Sequence, residues 1–220
     1  MSLVLYDLCG SNDLRFSPYC WRTKLALKHK GLGYETVPVA FTDKPKIAFS
    51  GQEKVPVIDD GGTVVFDSWA IAEYLEDAYP AAPALFPGAR GRQYAKMTND
   101  WADALHGMIL RCIIVDIHDR LDPPDRAYFR ESREQRFGAT LEDLQATRDE
   151  TCRELSDAMA SMRVHLMDGP FVCGAAPAYG DFIVFGSLRW AECCSDYPLL
   201  GDDDPVAAWY RRLGERMGVF

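Results

Sequence analysis

The chain has 220 residues, 48% hydrophobic and 26% charged, which is enough apolar material for one large core or two modest ones. Its formal net charge of -9 argues against a nucleic-acid binder, because phosphate contacts need a basic stripe. No run reaches the roughly 18 consecutive apolar residues of a membrane span, and the first residues, MSLVLYDLCG, lack a basic segment followed by a long apolar one, so a cytoplasmic location without membrane contact is expected.

In chain order, Leu3-Val4-Leu5-Tyr6 reads as a short buried strand. A helix is predicted from about Pro18 to Lys30, with Ser17 as N-cap, Pro18 in the first turn and Gly31 at the stop. Tyr34 to Phe41 reads as a second strand, parallel to the first because a strand-helix-strand step of this length favours that pairing. Pro56 to Asp59 and Thr63 to Phe66 form a hairpin around Asp60-Gly61-Gly62. Ser68, Ile71, Ala72, Leu75 and Tyr79 then make one stripe of a helix, with Glu73, Glu76 and Asp77 off it. Residues 79–88 hold three prolines and neither period, which marks a linker. Everything beyond reads helical. Gly91 to Arg120 places Met97, Trp101, Leu105, Met108 and Cys112 on one face, and Ile109, Ile113 and Ile114 widen it. Further helices are predicted over about 125–138, 141–168, 179–194 and 205–216. The expected fold class is an α/β thioredoxin-like domain (βαβ then ββα) over residues 1–79, a linker over 80–90, and an all-helical bundle over 91–220.

The run Ser17-Pro18-Tyr19-Cys20 sits where the first strand gives way to the first helix. Thioredoxin-like chains place Cys-x-x-Cys there because a helix amino terminus stabilises a thiolate. A serine in place of the first cysteine makes a poor disulfide reagent but a good hydrogen-bond donor to a thiolate supplied from outside, which points to a bound thiol cofactor. The competing reading is that Ser17 is only an N-cap. Between Arg15 and Lys54, eight bases (Arg15, Arg22, Lys24, Lys28, Lys30, Lys44, Lys46, Lys54) face three acids (Glu35, Asp43, Glu53). This is either a basin for a small anionic ligand or a solvated helix face. Seven cysteines (Cys9, Cys20, Cys112, Cys152, Cys173, Cys193, Cys194) lack the paired spacing of a zinc site, so no metal is expected and most read as small buried hydrophobes.

Taken together, the chain resembles a cytosolic glutathione transferase. Ser17 matches the family's serine-type catalytic position, and Val55-Pro56 matches a cis-proline that presents the preceding backbone to the cysteinyl part of glutathione. Asp67-Ser68 is similar to the pair that holds the γ-glutamyl group, and Gly174 to Asp181 resembles the capping segment of a buried helix. The resemblance implies glutathione as cosubstrate, Lys44 or Lys54 at its glycyl carboxylate, a small hydrophobic or aromatic electrophile as second substrate, and a homodimer. A narrower resemblance is to the bacterial β-aryl etherases of lignin breakdown and the fungal etherase-like transferases. It rests on Ser17 to Gly31, Val55 to Ile58 and Phe66 to Leu75, and in the helical region on Arg111-Cys112, Asp116 to Asp119 and Pro124 to Arg126.

One departure is that Ala178 stands where the capping segment usually has Ser or Thr, which removes half of a reciprocal cap at an expected cost of about 0.5–2 kcal/mol. Cys20, one turn into the helix, reads as packed. If exposed it makes a glutathione-dependent thiol reductase the alternative enzyme, and a non-catalytic carrier of hydrophobic ligands is the alternative outside enzymes. His106 reads as a surface or hydrogen-bonded core residue rather than an acid-base group.

Overall fold

The computed structural model describes residues 3–220. A four-stranded sheet is built from β1 (Leu3–Leu8), β2 (Tyr34–Val39), β3 (Val57–Asp60) and β4 (Thr63–Phe66) in the order β2-β1-β3-β4. β1 and β2 are parallel, while β1–β3 and β3–β4 are antiparallel, with Leu5 opposite both Thr36 and Ile58. Pro38 is tolerated inside β2 because that strand lies at the sheet edge, where a missing N–H leaves no ladder partner unpaired. Helices α1 (Pro18–His29) and α2 (Ser68–Ala78) bury Leu25, Leu27, Ile71 and Leu75 in the same core as Leu3, Leu5 and Ile58. Val39, Ile47 and Val57, with Tyr6, form a smaller cluster beneath the 3-10 segment Lys44–Ser50.

The second region is helical: α3 (Gly91–Asp119), α4 (Pro123–Phe137), α5 (Leu141–Gln145), α6 (Arg148–Ala158), α7 (Ala160–His165), α8 (Tyr179–Cys194) and α9 (Pro205–Arg216). The fold class expected from the sequence is therefore the one observed. Two details differ. The single helix predicted over 141–168 is three, and a side chain explains the second break. Arg163 donates to the Ser156 carbonyl at 2.5 Å and grips Asp204 at 2.7 Å, while the same carbonyl takes the Met159 N–H at 3.1 Å, so the last turn of α6 tightens and its end is held by a guanidinium. The buried face of α3 is also rotated from the predicted stripe. Ala95, Thr98, Ala102, Leu105, Ile109 and Cys112 are buried, whereas Met97 is 69% exposed and Trp101 and Met108 are only half-buried. Small Ala95 and Ala102 let the neighbouring helix approach more closely than a Met-Trp seam would.

α8 is the central helix, buried on nearly every side between α1 and α3. A Cβ at Gly186 would lie 2.5 Å from the Pro18 carbonyl oxygen, so glycine there allows α8 to meet the first turn of α1. The start of α8 lacks the Ala178 side of the cap, but the rest is intact. The Asp181 carboxylate accepts from Val172, Cys173 and Ala178 N–H at 2.7, 3.1 and 3.1 Å and from Trp209 Nε1 at 2.9 Å. The Ala178 carbonyl takes the Asp181 N–H at 2.9 Å, in place of the missing hydroxyl.

Candidate active site

The sheet topology gathers the sequence-predicted residues at one end. β1 and β2 both finish there, β3 starts there, and β4 finishes there, since Tyr6 pairs with Val57 and Val57 with Phe66. The starts of α1 and α2, the Val55–Pro56 bond and the segment carrying Lys44 and Lys54 follow directly from those strand ends.

Ser17 is the N-cap of α1 and only 4% exposed, and its Oγ accepts the Cys20 N–H at 3.3 Å. The hydroxyl oxygen is thus engaged while its proton remains available to donate. Cys20 is completely buried, and burial, with the Asp7 carboxylate nearby, pushes its thiol far above the ordinary value. It is a core residue, and no thiolate of this helix faces outward. Val55–Pro56 is a cis peptide, and Val55 makes no backbone hydrogen bond among the described residues. The Asp67 N–H donates to the Pro56 carbonyl at 3.3 Å, which ties this turn to the start of α2. Asp67 caps α2, accepting from Trp69 and Ala70 N–H at 2.9 and 3.1 Å, and remains exposed. Ser68 is buried, and its carbonyl receives the Tyr179 hydroxyl at 2.6 Å.

The basic stretch, left open between an anion basin and a solvated helix face, is for the most part neither, because its charges are paired. Arg15 and Lys24 pair with Asp7, Arg22 with Asp103, Lys30 with Glu76, Lys44 with Glu53 and Lys46 with Asp43, while Lys28 bonds two carbonyls. Of the eight bases only Lys54 has no partner among the described residues. Lys44, held by Glu53 at 2.8 Å, has its ammonium stabilised and occupied. Most of the excess charge therefore holds elements together, and Asp7 is the clearest case. It shares the buried face of β1 with Leu3 and Leu5, and it is neutralised by Lys24 at 2.6 Å and Arg15 at 3.4 Å. An acid at an apolar position of the strand alternation was the sequence signal for that pair.

Sequence reasoning missed the link from α1 to the helical region. Tyr19 Oη lies 3.3 Å from His106 Nδ1, and His106 Nε2 lies 2.8 Å from Ser187 Oγ. Ser187 donates its own proton to the Ile183 carbonyl, so Nε2 carries hydrogen and Nδ1 accepts from Tyr19. Burial, reinforced by Arg22 and opposed by Asp103, lowers the His106 pKa to about 4, so the ring is a neutral, hydrogen-bonded core group. Beside it, the buried Arg22 guanidinium donates to Asn99 and Asp103, each at 2.8 Å. Loop 41–42 is fixed in the same manner by the buried Asp125, which accepts from Thr42 N and Oγ1 at 2.9 and 2.7 Å.

Comparison with known proteins sets this geometry in a family. Residues 16–78 match the glutathione S-transferase N-terminal domain, and residues 95–199 match the glutathione S-transferase C-terminal domain. A probable glutathione S-transferase of Oryza sativa subsp. japonica is 31% identical over 217 residues, covering 92% of this chain and 83% of the relative. The chain belongs to the glutathione S-transferase family. Glutathione S-transferase 4 of Zea mays is 29% identical over 91% of this chain and 85% of its own length. Among solved structures, this transferase is similar to GSTFuA2 of Phanerochaete chrysosporium (TM-score 0.88, 26% identity, 98% of each chain). It is also similar to a Ceriporiopsis subvermispora glutathione S-transferase solved in complex with glutathione (TM-score 0.86, 27% identity, 100% of this chain and 99% of that one).

Proposed function

We propose that this glutathione S-transferase binds glutathione at the sheet end described above and directs its thiolate at an electrophilic aromatic substrate, with β-aryl ether cleavage as its particular reaction. The observation that carries the reading is the division of labour at the start of α1: Ser17 has a proton to donate, while the Cys20 thiol is sealed in the core. Disulfide chemistry at Cys20 is thereby disfavoured, and the nucleophile must come from the cosubstrate.

Each proposed role follows from an available polar group. Ser17 donates to the glutathione sulfur, and the helix end adds a favourable field. The Val55 N–H and C=O, unpaired among the described residues, would donate to and accept from the cysteinyl backbone as from an added strand. The exposed Asp67 carboxylate suits the γ-glutamyl ammonium, and the N–H and hydroxyl of Ser68 at the start of α2 suit its carboxylate, since Asp67 already takes the Trp69 and Ala70 N–H groups. Lys54, without a partner among the described residues, is the better match to the glycyl carboxylate than Lys44, which Glu53 occupies. Residues 1–79 would hold glutathione and residues 91–220 would shape the pocket for the electrophile. In the ether reaction the new bond is sulfur to carbon, the carbon–oxygen bond breaks, and a phenolate of pKa ~10 departs with the electron pair. The exposed Met97 and half-exposed Tyr94 on α3 support a homodimer that covers this flank.

The test is glutathione-dependent phenol release from a model β-aryl ether ketone. Release well above the enzyme-free rate is expected. Glutathione binding without release would remove the etherase reaction and leave another electrophile, or a carrier role, as the function.

A further inference from the structure

α1 runs for 12 residues away from Ser17, about 18 Å at a helical rise of ~1.5 Å per residue. Its last turn carries Lys28 and His29. With Ala176 and Pro177 ahead of α8, and Arg216 and Met217 at the end of α9, these line a hollow of about 460 Å³. Two of the six lining residues, Lys28 and Arg216, are positively charged and none is an acid, in a chain whose net charge is -9.

The hydrogen bonds around the hollow leave donors uncommitted. Lys28 Nζ donates to the Met217 and Gly218 carbonyls at 3.0 and 2.8 Å, which uses two of its three N–H groups. His29 Nε2 donates to the Ala84 carbonyl at 3.1 Å, and burial lowers the ring's pKa, so Nδ1 carries a lone pair and offers an anion no hydrogen bond. Arg216 is exposed, stacks against the Phe171 ring at 5.5 Å, and forms no ion pair or hydrogen bond among the described residues. Glu76, whose charge is felt at His29, is already engaged by Lys30 at 2.6 Å and by the Leu85 and Phe86 N–H groups. Bases near helix ends commonly offset the partial negative charge of terminal carbonyls. Lys28 does so by bonding them directly, and Arg216 bonds none.

We propose that this hollow is a binding site for a small organic anion, with Lys28 and Arg216 at its phosphate or carboxylate group and His29, Ala176, Pro177 and Met217 against its apolar part. The volume falls in the ~300–1,000 Å³ range of small-molecule sites. The lining comes from the thioredoxin-like region on one side and the helical region on the other, so an occupant would tie the two together and stabilise the fold by linkage. The site lies at the opposite end of α1 from Ser17 and does not depend on the function proposed there.

The experiment is calorimetric titration of the full chain with phenyl phosphate, at saturating glutathione and at an ionic strength held constant with sodium chloride. One saturable site is expected. Arg216→Gln should weaken it by about tenfold or more, the scale of one charge-assisted contact, and Arg216→Lys should restore part of the loss. Unfolding midpoints without ligand should match between wild type and both variants, because Arg216 is at the surface. Absence of binding at millimolar phenyl phosphate, or binding that Arg216→Gln leaves intact, overturns the proposal.

Discussion

Removing the Ser17 hydroxyl should expose two effects that separate by pH. As an N-cap, Ser17 makes a long bond of 3.3 Å to Cys20 N–H, so Ser17→Ala should cost about 1 kcal/mol of stability, and Ser17→Gly only a few tenths. As a donor to a thiolate, the same hydroxyl is worth about 1.5–3 kcal/mol. At ~1.36 kcal/mol per pKa unit, its loss raises the bound thiol by about 1–2 units. A thiol of ordinary pKa ~8.5 that the intact site holds near ~6.5 would then titrate at about 7.5–8.5. At pH ~6.5 the thiolate fraction falls from about one half to between roughly a tenth and a hundredth, and it recovers as pH rises past the new pKa. The assay is a pH–rate profile at saturating glutathione for wild type, Ser17→Ala and Ser17→Gly, beside urea unfolding of each. Both variants should lose the acid limb of the profile equally despite their different stabilities. An unchanged rate and an unchanged apparent pKa in Ser17→Gly would refute the assignment and leave Ser17 as a cap alone.

Lys54→Ala should raise the KM for glutathione by about fivefold, the upper scale of an exposed ion pair, while Lys44→Ala should change it by less than about twofold because Glu53 already occupies that ammonium. The reverse order in a glutathione titration would reassign the carboxylate partner. His106 titrates near 4 in the fold against an ordinary 6.5, so between these values the unfolded chain binds a proton that the folded chain does not. Stability should therefore fall as pH drops through this window, by on the order of 3 kcal/mol. The groups facing the ring are Tyr19 and Arg22 of α1, Asp103 of α3, and Ser187 and Trp190 of α8. Urea unfolding at several pH values should show a shallower acid slope in His106→Gln. Parallel curves for the two proteins would exclude that burial as its source.

Much of the candidate site was legible because it rests on local chemistry. Ser17 and Asp67 each cap the helix that follows, and Pro18 occupies a first turn, as their short polar side chains and fixed φ require. The hairpin across Gly61–Gly62 and the alternation along β1 are equally local. The basic stretch could not be resolved from sequence for the opposite reason. Arg22 meets Asp103 from 81 residues away, and Lys28 meets Gly218 from 190. A count of charges within 40 positions cannot include partners that arrive from another helix.

The sequence by itself determined which segments become strands and helices, the order that makes a thioredoxin-like unit followed by a helical one, and the residues standing at the strand ends. Periodicity, capping and turn chemistry act over a few residues, so they can be read without knowing the partners. Tertiary structure decided which face of α3 is buried, where the 141–168 segment breaks, which bases of residues 15–54 are paired and whether Cys20 is buried. Those outcomes depend on close approach and desolvation. Gly186 brings α8 against Pro18, Asp7 neutralises Lys24, and Arg163 ties the end of α6 to Asp204. Each is a contact between residues that only folding makes neighbours.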